Sequence, residues 1–301
     1  MMIYPRTLLV FAWLLHAGFS AMSTVPTGDQ SLFWRITAPS GVVSHIFGTI
    51  HLADTTVFRQ RDTVLRILDA SSAFAAELNL DSAFSQMKPQ VLLLASGTLY
   101  DIYDSSSVEM LCAELEKLNP LFGRACPRMK PGAIMMLVSM SAIERTAPSS
   151  IDEFLWARAK KKKVLRRGLE TFAEQIALID SMPPSMVLKQ IRGLDSARGE
   201  AEKLRDHYAK EELDSLQTAQ DDDAYTPELM ATLNDRRNER MTERMLPLLE
   251  TGNAFIAIGA LHLTGPKSVI ALLRQRGYAV DPVTGGRRVD WLEWGSAEKR
   301  R

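Results

Sequence analysis

Asn253-Ala-Phe-Ile-Ala-Ile-Gly-Ala-Leu-His-Leu-Thr-Gly265 is the stretch that decides the fold class. From Ala254 to Ile258 it is apolar at every position, the pattern of a strand buried on both faces. The run ends at Gly259, and His262 stands where the strand gives way to a loop. Ile46-Phe-Gly48-Thr-Ile-His51-Leu52 repeats the pattern near the start of the chain: hydrophobic strand, glycine, two residues, histidine. A glycine three residues before each histidine either lets the backbone turn sharply or lets another chain approach closely. Two Gly-x-x-His stretches at strand ends point to a polar site.

Two more apolar runs end in a carboxylate. Ser72 to Leu78 closes on Glu77, and Val164 to Leu169 runs into Glu170-Thr171. Toward the N-terminus, Ser31 to Thr37 and Val42 to Ile50 form a hairpin around Pro39-Ser-Gly41. Asp54, Thr55 and Thr56 offer N-caps to a helix in which Val57, Val64, Leu65 and Leu68 recur at helical spacing. Toward the C-terminus, Gly265-Pro266-Lys267 opens a helix that Gly277 stops, and Tyr278 to Val283 is the last strand. Trp291 and Trp294 lie in a tail expected to fold back on the core.

Between these strands, residues 83–160 and 172–250 read as mostly helical. Pro131 starts one helix, and Met129, Met135, Met136 and Met140 suit core packing. Ser150-Ile-Asp-Glu153 is a capping box that opens another. Lys160 to Lys163 with Arg166 and Arg167 read as a solvated helix end feeding a strand, with anion binding as the alternative. Pro183-Pro184 and Asp221-Asp222-Asp223 break the second helical region. The aspartates lack the alternating spacing and closing glutamate of a calcium loop, so a polar loop is expected before Thr226-Pro227. Strands separated by helices predict an α/β fold, with a mainly parallel central sheet flanked by helices and a helical insertion. Residues 24–301 read as one such domain.

With 301 residues, 46% of them hydrophobic and 24% charged, the chain can bury a sizeable core. Its 36 basic and 36 acidic residues cancel, so nothing drives it toward nucleic acid or acidic membrane. Residues 1–23 read as an export signal: Arg6, then an apolar run from Leu8 to Phe19 too short for a stable membrane span. Gly18-Phe19-Ser20 and Ala21-Met22-Ser23 both suit cleavage, and an uncleaved anchoring helix is the alternative. The expectation is a periplasmic or secreted protein with no span left after cleavage. In that setting Cys112 and Cys126 pair as a disulfide, or remain as two buried free thiols.

In a parallel sheet, ligands bind outside the carboxyl ends of the strands. The groups at those ends are His51, Glu77, Glu170 and His262. Gathered at one rim, two imidazoles and two carboxylates suit manganese, cobalt or zinc. No His-Glu-x-x-His, Gly-x-Ser-x-Gly, phosphate-loop or dinucleotide motif occurs in the chain.

The paired Gly48-Thr-Ile-His51 and Gly259-Ala-Leu-His262 are joined by Glu77, by Gly168-Leu-Glu170-Thr171 with Glu174-Gln175, and by Arg237-Asn238. In this order and spacing, from about Trp34 to Val283, they resemble the TraB/GumN family. That family includes the Tiki-type Wnt-inactivating metalloproteases and is more distantly related to erythromycin esterase and haem-binding ChaN-like proteins. The resemblance implies a metal-dependent hydrolase fold in which His51, Glu77 and His262 form the metal or catalytic set. Glu170 and Arg237 would be further site residues, with Gly48, Gly259 and Asn238 in support. Either Arg236 or Arg237 could be the arginine that faces inward. The implied chemistry is attack of a metal-activated water on the carbonyl of a peptide or protein substrate, with a glutamate as base and Arg237 at the oxyanion. The alternative is a non-catalytic periplasmic protein that keeps the fold and holds a metal, haem or polysaccharide fragment.

Overall fold

The apolar runs become strands: β1 (Phe33–Thr37), β2 (Val43–Thr49), β3 (Arg59–Arg61), β4 (Ala73–Leu78), β5 (Leu165–Glu170), β6 (Ala254–Gly259), β7 (Ala279–Pro282) and β8 (Arg288–Asp290). The computed structural model describes residues 31–86, 89–142, 145–218 and 231–297. The signal read at 1–23, the Asp221-Asp222-Asp223 loop and Thr226-Pro227 lie outside the described residues.

Six strands make one sheet in the order β5-β4-β6-β2-β1-β7. The four from β5 to β2 run parallel, while β1 is antiparallel to both β2 and β7. The expected hairpin and the mainly parallel sheet are both present. β6, buried at all six positions, sits between β4 and β2. Its register against β2 sets Gly48 opposite Ile258 and Thr49 opposite Gly259, so the two Gly-x-x-His segments leave the sheet side by side.

Aromatic packing fixes the sheet to its covering helices. Phe74 stacks on Phe255, and Trp156 of the helix Ile151–Lys161 meets Phe74 edge-on. Trp291 does fold back, fully buried between Phe47 and Phe154, and Trp294 packs partly buried against the same core. Each such side chain contributes about 1.5–3 kcal/mol on leaving water.

A second hydrophobic cluster lies in the helical connections that leave β4 and β5. Leu111, Leu115, Met129, Met135 and Met136 meet Ile179 and Met182 there. The methionines are core, as expected, with the Met140 side chain outside the described set. Cys112 and Cys126 are joined as a disulfide, with Cα atoms 5.4 Å apart. Because both connections start at carboxyl ends of parallel strands, this helical layer is anchored at the rim where the candidate residues lie.

One local expectation resolves differently. In place of one helix through Val57 and Leu68 there is a 3-10 turn, Thr55–Phe58, capped by Asp54, then β3, then the helix Asp62–Ala70. β3 pairs with β8 in a separate ribbon, a partner too distant in sequence for local periodicity to reveal. The Lys160–Arg167 run is a helix end feeding a strand, and its cations rest on acidic side chains: Lys162 on Asp69, Lys160 and Arg166 on Asp81. Among the described residues no helix is long and apolar enough to cross a membrane.

Candidate functional site

Each candidate residue is delivered by a strand end or a helix start. Glu77 is next to last in β4 and Glu170 ends β5. His51 lies two residues beyond β2, and His262 sits in the 3-10 turn Ala260–Leu263 that follows β6. Arg237 and Asn238 open the helix Arg236–Thr251. All six are buried, none more than 4% exposed. Arg236 is exposed, so Arg237 is the arginine that faces inward.

Arg237 joins the two carboxylates. Its Nε donates to Glu170 Oε1 at 2.9 Å, and its Nη2 donates to Glu170 Oε2 at 2.7 Å and to Glu77 Oε2 at 2.9 Å. Burial opposes the guanidinium charge, but Glu170 and then Glu77 outweigh it and hold its pKa above the ordinary value. Gln175 Nε2 adds a bond to Glu170 Oε2 at 3.1 Å. The other oxygen of Glu77 accepts the Gly259 N–H at 2.6 Å.

Both motif glycines serve close approach. Neither has a left-handed backbone. A Cβ on Gly48 would stand 2.9 Å from Leu263 Cδ1 and 3.0 Å from Ala260 Cα, so its absence lets the His262 turn pack onto β2. A Cβ on Gly259 would lie 3.1 Å from Glu77 Oε1.

The histidines are pinned through the same ring atom. His51 Nδ1 lies 2.7 Å from Asp152 Oδ2, and Thr49 donates its hydroxyl to Asp152 Oδ1 at 2.6 Å. His262 Nδ1 lies 2.6 Å from Asn238 Oδ1. Asn238 Nδ2 donates to the Lys267 carbonyl, which turns Oδ1 toward His262 and makes Nδ1 the donor. His262 Nε2 is 3.6 Å from Glu77 Oε1, yet the contact is no ion pair: burial, then the Arg237 charge, hold His262 well below the usual histidine pKa. His51 moves the other way. Burial opposes its charge, but Asp152 and behind it Glu77 outweigh burial and raise its pKa. Asp152 is lowered despite burial, by His51 and by Thr49.

Asp152 and Thr49 line the site without having been singled out as site residues by the sequence patterns, whereas Gln175 belongs to the Glu174-Gln175 step of the quoted motif. Asp152 reads locally as an acidic first-turn residue after the Ser150 cap, favourable to a helix N-terminus in its own right. Tyr208 is another. It is fully buried, and its hydroxyl donates to the Gly48 carbonyl at 2.7 Å.

The sequence profile described as the TraB/PrgY/gumN family matches residues 32–282, nearly the whole described chain. The chain belongs to the TraB/PrgY/gumN family. A relative described as an uncharacterized protein of Treponema pallidum (strain Nichols) is 24% identical over 281 residues, covering 85% of this chain and 84% of its own. No solved structure matches.

The fit of this TraB/PrgY/gumN centre to a divalent cation rests on its donors. Among the described residues, no three His, Cys, Asp or Glu groups already surround a common point. Two features nonetheless suit an ion. His51 Nε2 is buried with no hydrogen-bond partner, so in the neutral ring with Nδ1 protonated its lone pair is left for a ligand. The 3.6 Å from His262 Nε2 to Glu77 Oε1 is the spacing of two donors on one ion, since atoms about 2.1 Å from a centre at roughly 110–120° stand roughly 3.4–3.6 Å apart. Pinning Nδ1 by a carboxylate or amide oxygen, with Nε2 left for the metal, is also how ligating histidines are oriented. The donor types fit such an ion, and the spacing fits it at His262 Nε2 and Glu77 Oε1.

Proposed function

We propose that the protein is a divalent-cation-dependent hydrolase of the cell envelope that cleaves a peptide bond. The observation that carries this reading is the pair of buried imidazoles, each fixed through Nδ1, beside a glutamate–arginine–glutamate cluster. His51 Nε2, His262 Nε2 and Glu77 Oε1 would hold the ion, with manganese, cobalt or zinc as the candidates. The bound ion supplies a water of lowered pKa and a polarised carbonyl.

The chain's own residues divide the remaining work. Glu170 is the second buried carboxylate and takes the proton lost by the attacking water. Arg237 bridges both glutamates, so as Glu170 is neutralised the guanidinium shifts its charge toward the oxyanion that forms on the carbonyl. Gln175 keeps Glu170 in place during that exchange. Burial of the cluster excludes bulk water and strengthens each of these interactions. The Cys112–Cys126 bond supports an exported location, because disulfides persist in oxidising compartments.

The depth of the centre also favours a second reading, a protein that holds a cation without turning anything over, since none of the six residues is open to solvent. One experiment separates the two. Purified protein is titrated with Mn²⁺, Co²⁺ and Zn²⁺ by calorimetry, and unstructured peptide mixtures are then digested with and without chelator. Turnover that chelation abolishes supports the hydrolase, and tight cation uptake with no turnover supports the binding protein. Turnover that survives both chelation and His51→Ala with His262→Ala refutes the cation-dependent reading.

A further inference from the structure

His51 is held by Asp152, which Thr49 clamps in turn. Asp152 Oδ2 meets its Nδ1 at 2.7 Å, with side chains only 2% and 5% exposed. The other carboxylate oxygen is taken by Thr49 at 2.6 Å. Thr49 and His51 belong to the end of β2, whereas Asp152 comes from the first turn of the helix Ile151–Lys161. The carboxylate therefore staples that helix to the first Gly-x-x-His segment, and it does so through the ring.

We propose that Asp152, clamped by Thr49, is the positioning residue of the centre: it accepts a hydrogen bond from the Nδ1–H of His51 and so leaves the lone pair of the neutral ring on Nε2. This rests on the reading of the centre as a cation site, where Nε2 is the atom that must be bare. A neutral imidazole carries one N–H, and the hydrogen bond made by one nitrogen decides which of the two holds it. An ionised carboxylate can only accept, so it can face only an N–H. Both oxygens of the Asp152 carboxylate are placed to accept, one from the Thr49 hydroxyl and one from the ring. An amide in its place offers an NH₂ group to a bare Nδ1, and the ring proton then moves to Nε2, where it blocks the ligand atom. In serine proteases the same carboxylate-to-amide exchange leaves the geometry intact and costs about 10⁴ in rate through the wrong tautomer. For metal-ligating histidines, loss of the outer partner typically costs about 10–100-fold in affinity.

A purely structural role would have Asp152 serve only as a first-turn anion, and the two roles separate in one set of measurements. Asp152→Asn is compared with wild type for Mn²⁺ and Co²⁺ affinity by calorimetry, and the same exchange is repeated on His51→Ala. The expected result is a loss of about 10–100-fold in the single variant and no further loss on His51→Ala. Equal affinity in wild type and Asp152→Asn overturns the proposal, and so does a loss just as large without the His51 ring. Should Asp152→Asn not fold, Thr49→Val removes the clamp while keeping the carboxylate. A several-fold weaker affinity then supports the proposal and an unchanged one overturns it.

A second readout needs no cation. In ¹⁵N-histidine-labelled protein at alkaline pH, the neutral His51 ring is expected to carry its proton on Nδ1 in wild type and on Nε2 in Asp152→Asn. The same protonated nitrogen in both overturns the proposal. If wild type takes up no Mn²⁺ or Co²⁺ but the tautomer switches, the cation reading falls and the role of Asp152 stands.

Discussion

Replacing Arg237 with methionine keeps an apolar stem in the helix and removes the guanidinium. Three hydrogen bonds of 2.7–2.9 Å go with it, all to carboxylates whose side chains are at most 4% exposed. What remains is two buried negative groups with no buried cation between them. Removing one member of a buried pair costs about 3–5 kcal/mol, because the partner cannot return to water. A folded domain has only about 5–15 kcal/mol in total. At roughly 2–4 °C per kcal/mol for chains of about 150–250 residues, the expected fall in melting temperature is roughly 6–20 °C. The measurement is urea unfolding followed by tryptophan fluorescence, with the slope checked for constancy. Adding Glu170→Gln to Arg237→Met removes one of the stranded charges and should restore at least about 1 kcal/mol, the coupling expected between contacting residues. A variant within about 1 kcal/mol of wild type, or a double variant no more stable than the single, would refute the view that the guanidinium neutralises this centre.

Gly48→Ala should cost about 1–3 kcal/mol of unfolding free energy and weaken cation uptake with it, because the new methyl meets Leu263 Cδ1 and the Ala260 backbone beside His262; unchanged stability would remove the close-approach explanation. Cys112→Ala with Cys126→Ala, which opens a loop of sequence separation 14, should lower stability by about 3 kcal/mol in a urea melt, and a loss under about 1 kcal/mol would count against the bond. Glu174 is held at about 2, mainly by its hydrogen bonds from Arg244, so it contributes stability above the ordinary carboxylate pKa that is lost as pH falls toward 2. The melting-temperature gap between wild type and Glu174→Gln should therefore close over that interval, and a gap independent of pH would contradict the assignment. Because the His51 pKa is raised and an ion needs its bare Nε2, Mn²⁺ affinity should rise with pH until the ring is deprotonated, and a flat calorimetric profile between pH 6 and 9 would exclude His51 as a ligand.

The legibility of this fold in its sequence follows from how local each signal is. β6 is announced by six consecutive small or apolar residues closed by a glycine, and its central, doubly buried place in the sheet is the reason for that composition. Glu77, Glu170 and His262 were readable because a polar group at the end of such a run stands out. Arg237 over Arg236 is settled by the helix itself: Arg237, Met241 and Met245 recur every four residues on its buried face. Asp152 gave no comparable sign. In the first turn after Ser150 a carboxylate already has a local reason to exist, so nothing in the chain distinguishes one that caps a helix from one that grips a histidine at a sequence distance of 101. β3 is illegible for a related reason, since three consecutive polar residues form a strand only because β8 lies beside them.

Charge balance ties the two halves of the centre together. Three carboxylates, Glu77, Glu170 and Asp152, are buried with one guanidinium, Arg237. Arg240 approaches Glu170 to 3.8 Å from the solvent side, but at 40% exposure its charge is screened. Two negative charges are thus left in a medium where isolated charges are costly. A proton on His51 offsets one of them, which is the direction in which Asp152 and Glu77 shift that ring. His262 does not offset the second, because it lies beside Arg237 and is driven neutral. The cation-free centre therefore keeps a negative charge next to a neutral imidazole, an environment that draws a cation and repels an anion. A divalent ion would offset both charges at once and would claim the same His51 atom as the proton. On this argument the ion and the proton are alternatives at Nε2, and Asp152, by fixing Nδ1, confines their competition to that one atom.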